Sequence, residues 1–284
     1  MKNRLKYICI KVNQVCNLNC IHCRAGSNPN LRGEIDFDKI IPFLEQLIST
    51  GLNHVNITGG EPTLYTQFYR LVTELLDRDI YVTVTTNGLT NFLQKNLAPT
   101  FKKIDKLRIR VSIDGSKKLH EKLRGVNTFD RAIRGLKILS DQQVWIAVNT
   151  VVYEETTSDL PQLYEVLKHI RFDEWALITP VNSKNNLEFN SFSKDYQTLN
   201  SNLNQAKIQL VSLGYTGHIH LIDFYCNPNA YLLVDEMGTI ILPGTQEQDD
   251  IVVSHLDYYK LSDIHNTIEQ VITSNTKTFF DWQT

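Results

Sequence analysis

From residue 6 to residue 181 the chain alternates strand-like and helix-like segments, and this alternation limits the folds open to it more than any other feature. The segments 6–12, 54–58, 81–86, 106–114, 144–152 and 173–181 read as short apolar strands rich in β-branched residues. Between them, 37–50, 66–78, part of 89–102, 128–140 and 159–169 read as helices. Asp36 is placed to cap the first helix and Gly51 to stop it. Phe68, Leu71, Val72, Leu75 and Leu76 fall on one face of the second, and Ala132, Ile133, Leu136 and Leu139 keep helical spacing in a later one. Repeated βαβ order predicts a parallel sheet with right-handed crossovers. Six units are too few for a closed eight-stranded barrel. The expected fold class is therefore α/β, a partial (β/α)6 TIM-like barrel with its site at the C-terminal ends of the strands.

After residue 182 the pattern changes. A polar linker over 183–193 precedes a helix at 195–213, a strand at 218–223, a hairpin within 229–244 and a last helix near 262–274. This predicts a core over 1–182 and a small α+β extension over 183–284. A net charge of -2 gives no reason to expect nucleic acid or an anionic membrane as partner. No apolar run is long enough to span a bilayer, and the N-terminal apolar stretch breaks at Lys11, so it is not a signal peptide.

Five cysteines are present, and three of them, Cys16, Cys20 and Cys23, crowd into VCNLNCIHC directly after the first strand. That spacing suits metal binding in a reducing compartment and predicts a cytoplasmic protein. Cys9, in the first strand, reads as a small buried hydrophobe. Three thiolates can hold an iron–sulfur cluster and leave one iron open to a non-protein ligand; an electron-transfer cluster would use four. A zinc site would need His22 or Cys226 as well, and His22 is poorly placed beside Cys23.

Two further motifs end strands. GGEP, Gly59 to Pro62, is either a plain βα turn or a place where backbone approaches a ligand and Glu61 or nearby carbonyls accept from its amine. VSIDG ends the fourth strand with Ser112 and Asp114 two residues apart, hence expected on one face. They suit ribose or carboxylate binding, or a local turn. Arg124 in KLRG suits a carboxylate clamp or a solvated loop.

With these residues in this order, the chain resembles the radical S-adenosylmethionine (SAM) superfamily, in the branch that often carries a C-terminal SPASM or twitch extension. CNLNCIHC matches the C-x3-C-x2-C signature, with His22 where an aromatic ring is usual; GGEP matches the methionine-amine motif; VSIDG with LRG is similar to the ribose and carboxylate region. The resemblance covers residues 5 to about 182 well. It implies one [4Fe–4S] cluster on Cys16, Cys20 and Cys23, with the amine and carboxylate of SAM on its open iron. It also implies reductive cleavage of SAM to a 5′-deoxyadenosyl radical that takes a hydrogen atom from substrate. Gly59, Gly60 and Glu61 would hold the methionine amine, Ser112 and Asp114 would lie near ribose or carboxylate, and Arg124 would pair with the carboxylate. His22 would also lie at the SAM site, and Thr86, Asn87 and Asn149 are weaker candidates for it. A reductant such as flavodoxin or ferredoxin is implied.

In SPASM and twitch extensions, cysteines flank a short hairpin and bind an auxiliary cluster. Here Cys226 opens that pattern, but Gly244 follows Pro243 and no cysteine occurs after 226. Cys226 is thus either a remnant or a thiol that donates a hydrogen atom to a substrate radical, as in radical SAM epimerases. The first strand begins within a few residues of the N-terminus, which tilts the expected substrate toward a small polar natural product, a sugar or aminocyclitol, with a peptide still open. The alternatives are a dehydratase, a decarboxylase or a peptide-modifying enzyme. From another class, the alternative is a non-catalytic metal-binding or electron-transfer protein. Asp223, Tyr225, Trp175 and His220 are residues that either line a pocket or serve structure.

Overall fold

The first strand sets the geometry of the molecule. In β1 (Tyr7–Lys11), Ile8 and Ile10 are fully buried on one face, while Tyr7, Cys9 and Lys11 alternate onto the other. A computed structural model describes residues 5–94, 97–142, 144–182, 184–185, 196–225, 228–229, 231–245 and 247–275. In it, β1 is followed by β2 (His54–Thr58), β3 (Tyr81–Thr86), β4 (Leu107–Ser112), β5 (Trp145–Val151), β6 (Glu174–Ile178) and β7 (His218–Ile222), each parallel to the one before. Their apolar alternates, such as Val55, Ile57, Val82, Val84, Ile109 and Val148, are fully buried beneath the helices.

The connecting helices are α1 (Phe37–Thr50), α2 (Phe68–Asp77), α3 (Leu97–Thr100), α4 (Lys117–Arg124), α5 (Phe129–Ser140), α6 (Glu154–Leu167) and α7 (Tyr196–Ser212). Asp36 caps α1, accepting from Asp38 N at 2.9 Å, and Gly51 ends it at φ 122°, where a Cβ would be strained. α2 buries the five apolar residues expected of it. The main core is the layer between these helices and the sheet. No helix among the described residues is long and apolar enough to cross a membrane.

The other edge of β1 takes β8 (Leu232–Val234), also in parallel, and β9 (Thr239–Leu242) and β10 (Ile251–His255) continue antiparallel, with α8 (Leu261–Asn275) last. The sheet order is β10-β9-β8-β1-β2-β3-β4-β5-β6-β7. Side chains from β1 through β9 line a single cavity, so the sheet wraps around it as a partial barrel, which is the α/β architecture expected. The sheet runs on through residue 182: β7, read from sequence as part of the extension, pairs with β6. Period-two patterning marks a strand without naming its partner. Likewise α4 and β10 were not anticipated, and α6 starts at Glu154 rather than 159.

Candidate active site

The loop after β1 carries the three cysteines and is tied down at several points. Ile21 N donates to Leu123 O at 3.0 Å, and the Ile21 side chain packs on Leu119, Leu123 and Tyr153. Cys23 O accepts from Lys184 N at 3.1 Å, and Cys20 O accepts from Asn185 Nδ2 at 3.0 Å. Cys16, Cys20 and Cys23 all line one cavity of about 300 Å³, at the C-terminal ends of the strands. Burial pushes the Cys16 thiol up to about 12 and the Cys20 thiol up to about 11. A bound metal takes the place of those protons. Leu18 N (3.4 Å) and Asn87 Nδ2 (3.7 Å) donate to Cys16 Sγ, as hydrogen bonds do to cluster sulfurs. Among the described residues no three His, Cys, Asp or Glu side chains converge on a single ion. A cluster takes one thiolate per iron and does not ask for such convergence.

Gly59 and Gly60 make their close approach to the cysteine loop itself. A Cβ on Gly59 would overlap the Asn13 side chain, and one on Gly60 would overlap the Val15 carbonyl. Gly60 N donates to Asn13 O at 2.8 Å, Glu61 N donates to Val15 O at 2.9 Å, and Asn13 Nδ2 donates to Glu61 O at 2.9 Å. Asn13 therefore clamps the GGEP turn to the loop that carries Cys16. Gly60 still faces the cysteine cavity. The Glu61 carboxylate does not line it: fully buried, it accepts from Thr63 Oγ1 (2.6 Å), Thr86 Oγ1 (2.7 Å) and Asn87 N (2.8 Å). Burial nevertheless pushes its carboxyl up. Thr86 and Asn87 line the cavity.

Ser112 and Asp114 do not share a face as expected. β4 ends at Ser112, so strand alternation stops there; Ser112 lines the cavity while Asp114 is wholly enclosed behind it. Asp114 accepts from Arg124 Nε at 2.6 Å, His22 Nε2 at 3.0 Å and Val151 N at 2.8 Å. Burial alone would raise its carboxyl, but Arg124, His22 and the Val151 N–H outweigh that and hold it well below the usual carboxylate range. Burial opposes the Arg124 charge too, and Asp114 and the cysteines outweigh it. Only Nε of Arg124 is engaged among the described residues, so its two Nη nitrogens remain for an anionic ligand group at the cavity wall. His22 also lines the cavity, its ring fixed by Asp114.

Asn149 faces a second cavity, of about 480 Å³, together with Gly59, Cys9, Lys11, Asn56 and Arg110. The two cavities share Arg24, Thr58, Thr85, Ile178, Phe224 and Tyr231 as walls. Among the described residues, Ser27 Oγ in the first and Asn149 Oδ1 in the second are buried without a hydrogen-bond partner, as polar groups built to meet a ligand would be. Sequence reasoning missed Asn13, Ser27 and Arg24, lone polar residues in loops whose partners are remote in the chain. Trp175 faces the helix layer and donates to Thr150 Oγ1 at 2.9 Å, so it is structural. His220 pairs with Glu174 at 3.5 Å, and Asp223 Oδ1 accepts from Tyr225 N at 2.9 Å. Cys226 lies outside the described residues.

Comparison with known proteins agrees with this fold. The chain is 27% identical to the AdoMet-dependent heme synthase of Methanosarcina barkeri over 173 residues, 60% of this chain and 49% of that one. It is 31% identical to the mycofactocin maturase MftC of Mycobacterium tuberculosis over 138 residues, 47% and 34% of the two chains. It spans about half or less of these relatives. Among solved structures, Streptococcus suis SuiB bound to precursor peptide SuiA superposes with a TM-score of 0.73 at 17% identity, covering 91% of this chain and 64% of that one. The anSMEcpe protein with bound AdoMet and Cp18Cys peptide gives 0.69 at 16% identity, covering 97% and 84%. Both share the fold. Residues 10–167, more than half of the chain, match the Radical SAM superfamily, and the chain belongs to that family.

Proposed function

We propose that this protein is a radical SAM enzyme that abstracts a hydrogen atom from a substrate held in the larger cavity, and that it inverts a carbon centre as an epimerase. The family's cofactors are a [4Fe–4S] cluster and SAM. When bound, they supply a 5′-deoxyadenosyl radical once an electron arrives from a flavodoxin- or ferredoxin-type donor. The observation that carries the reading is the shared wall: the three cysteines, Gly60, Ser112 and Arg124 line one cavity, and it abuts a second, larger one. Cys16, Cys20 and Cys23 would hold the cluster. Arg124, fixed by Asp114, would hold the carboxylate of SAM, while Gly60, Ser112, Thr86 and Asn87 shape the rest of its cavity and Glu61 braces it from behind. Asn56, Asn149, Thr58 and Thr85 bring amides and hydroxyls to the larger cavity, which supports a small hydroxylated or aminated substrate such as a sugar or aminocyclitol. On this reading residues 1–182 carry the chemistry and 183–284 complete the substrate chamber.

The epimerase outcome rests on cysteine count. Outside the cluster loop only Cys9 and Cys226 remain, too few for a second cluster of conventional ligation. An inversion needs no second cluster as electron acceptor, only a thiol to return hydrogen, and these two cysteines are the thiols available for it. Anaerobic reconstitution with iron and sulfide tests the enzyme reading. The expected result is a [4Fe–4S] spectrum perturbed by SAM and release of 5′-deoxyadenosine on reduction with dithionite. A bound metal with no response to SAM and no nucleoside would return the protein to the electron-transfer or metal-binding class.

A further inference from the structure

The strand that leads into the cysteine loop also carries a thiol into the larger cavity. Ile8 and Ile10 fill the helix face of β1, so alternation sends Cys9 to the cavity side, between Tyr7 and Lys11. It is not packed there as a hydrocarbon. Asn56 Nδ2 donates to Cys9 Sγ at 3.6 Å, and Thr85 Oγ1 donates to Asn56 Oδ1 at 3.1 Å, so the thiol opens a polar row across β1, β2 and β3. A second observation is independent of it. From β5, Asn149, only 8% exposed, presents to the same cavity an Oδ1 that has no partner among the described residues. A buried amide oxygen left unpaired is destabilising, and a ligand O–H or N–H donated to it removes that cost. Cys9 lies in mid-strand, away from the strand ends where the cluster cysteines gather, and it lines the same cavity as Asn149, which shares walls with the cysteine cavity.

We propose that the larger cavity binds a hydroxyl- or amine-bearing substrate through Asn149, and that Cys9 is the thiol that returns a hydrogen atom to the substrate radical. The proposal rests on the epimerase reading. The substrate loses a hydrogen atom from the face toward the cysteine cavity. The Cys9 S–H bond then breaks homolytically and a new C–H bond forms on the opposite face, leaving the carbon inverted and a thiyl radical on Cys9. One electron from a ferredoxin- or flavodoxin-type reductant and one proton from solvent restore the thiol. Each turnover thus consumes two electrons, one to cleave SAM and one to reset Cys9. Burial suits this role, because it pushes the Cys9 thiol up to about 12 and so keeps the S–H intact at neutral pH.

The test compares wild type, Cys9→Ala, Cys9→Ser and Cys226→Ala, each reconstituted and given SAM and dithionite in D2O. The exchangeable thiol then carries deuterium, and a radical quenched by it yields deuterated 5′-deoxyadenosine. Wild type and Cys226→Ala should give the deuterated nucleoside, and both Cys9 variants should lose the label while keeping iron content and SAM affinity. Serine matches the thiol in shape, but its O–H bond is too strong to donate, so a packing role would be rescued by Cys9→Ser and a donor role would not. On the cluster-free proteins, infrared difference spectra at pH 9 should show an S–H band missing from Cys9→Ala. Label retained in the Cys9 variants, label lost only in Cys226→Ala, or no S–H band assignable to Cys9 overturns the proposal. Absence of 5′-deoxyadenosine from wild type itself would instead overturn the radical SAM enzyme reading.

Discussion

Asp114 illustrates how single residues hold this site without touching the cavity. Its carboxylate meets Arg124, His22 and the Val151 amide, and it is fully enclosed. Removing one partner of such a buried pair strands the other, at about 3–5 kcal/mol. Asp114→Asn should therefore lower stability by about that amount in urea unfolding at pH 7. The sign of the pH effect follows from the depressed carboxyl. Its contribution is complete above the unfolded value of about 4 and fades as pH falls toward the folded value. The gap between wild type and Asp114→Asn should narrow between pH 5 and pH 3; a gap constant with pH would show that the charge is not what matters. Gly60 acts through space instead. Because a Cβ there would overlap the Val15 carbonyl, Gly60→Ala should displace the turn that leads to Cys16. The expected outcome is a folded protein by circular dichroism that reconstitutes with substoichiometric iron. Full iron loading would remove this role from Gly60.

Among elements, the join between the cysteine loop and the β8–β9–β10 hairpins is the one to test. Arg24, next to Cys23, donates to Gly244 O at 2.6 Å and pairs with Asp250 at 3.5 Å, and Asp250 in turn accepts from Gly244 N at 2.7 Å. A polar clasp thus occupies the position where the extension's pattern would carry a cysteine. Charged hydrogen bonds of this kind are worth about 1.5–3 kcal/mol. Arg24→Ala should then speed amide hydrogen exchange across 239–255 by about tenfold or more, leaving β3 to β6 unchanged; unaltered exchange there would deny the clasp any role. Nothing local in the sequence discloses this contact, since Arg24 and Asp250 are 226 positions apart. The helices were legible because capping and 3.6-residue spacing are local, as Asp36, Gly51 and the α2 face show. The cysteines, Gly60 and Ser112 were legible as a group because each motif ends a strand or follows one, whereas Arg124 closes helix α4. The enclosure of Asp114 and the pairing of β7 were not, because both depend on where chain segments meet in space.

At the scale of the whole molecule, the sheet separates stability from function by its two faces. Strands such as YICIK, HVNIT and LRIRVS read as apolar by their β-branched content, yet their alternation puts Cys9, Asn56 and Arg110 into the lumen and the hydrophobes under the helices. Closed TIM barrels fill that lumen with branched apolar side chains; here polar and charged side chains share it with apolar ones and leave room for a ligand. Among its charged groups, Arg110 donates to Glu174 at 2.9 Å, while His218 and His220 approach the same carboxylate at 3.1 and 3.5 Å. Burial raises the Glu174 carboxyl, and His220, Arg110 and His218 together bring it below its ordinary value. If the helix-side core carries the fold, this cluster adds little net stability, since desolvating both charges offsets their attraction. Arg110→Met alone should cost about 3 kcal/mol in urea unfolding, because Glu174 loses its permanent cation. The double variant Arg110→Met, Glu174→Leu should come within about 1 kcal/mol of wild type, or exceed it. A double variant as unstable as the single would mean that the polar lumen supports folding as well, and that the two faces of this sheet do not divide the work.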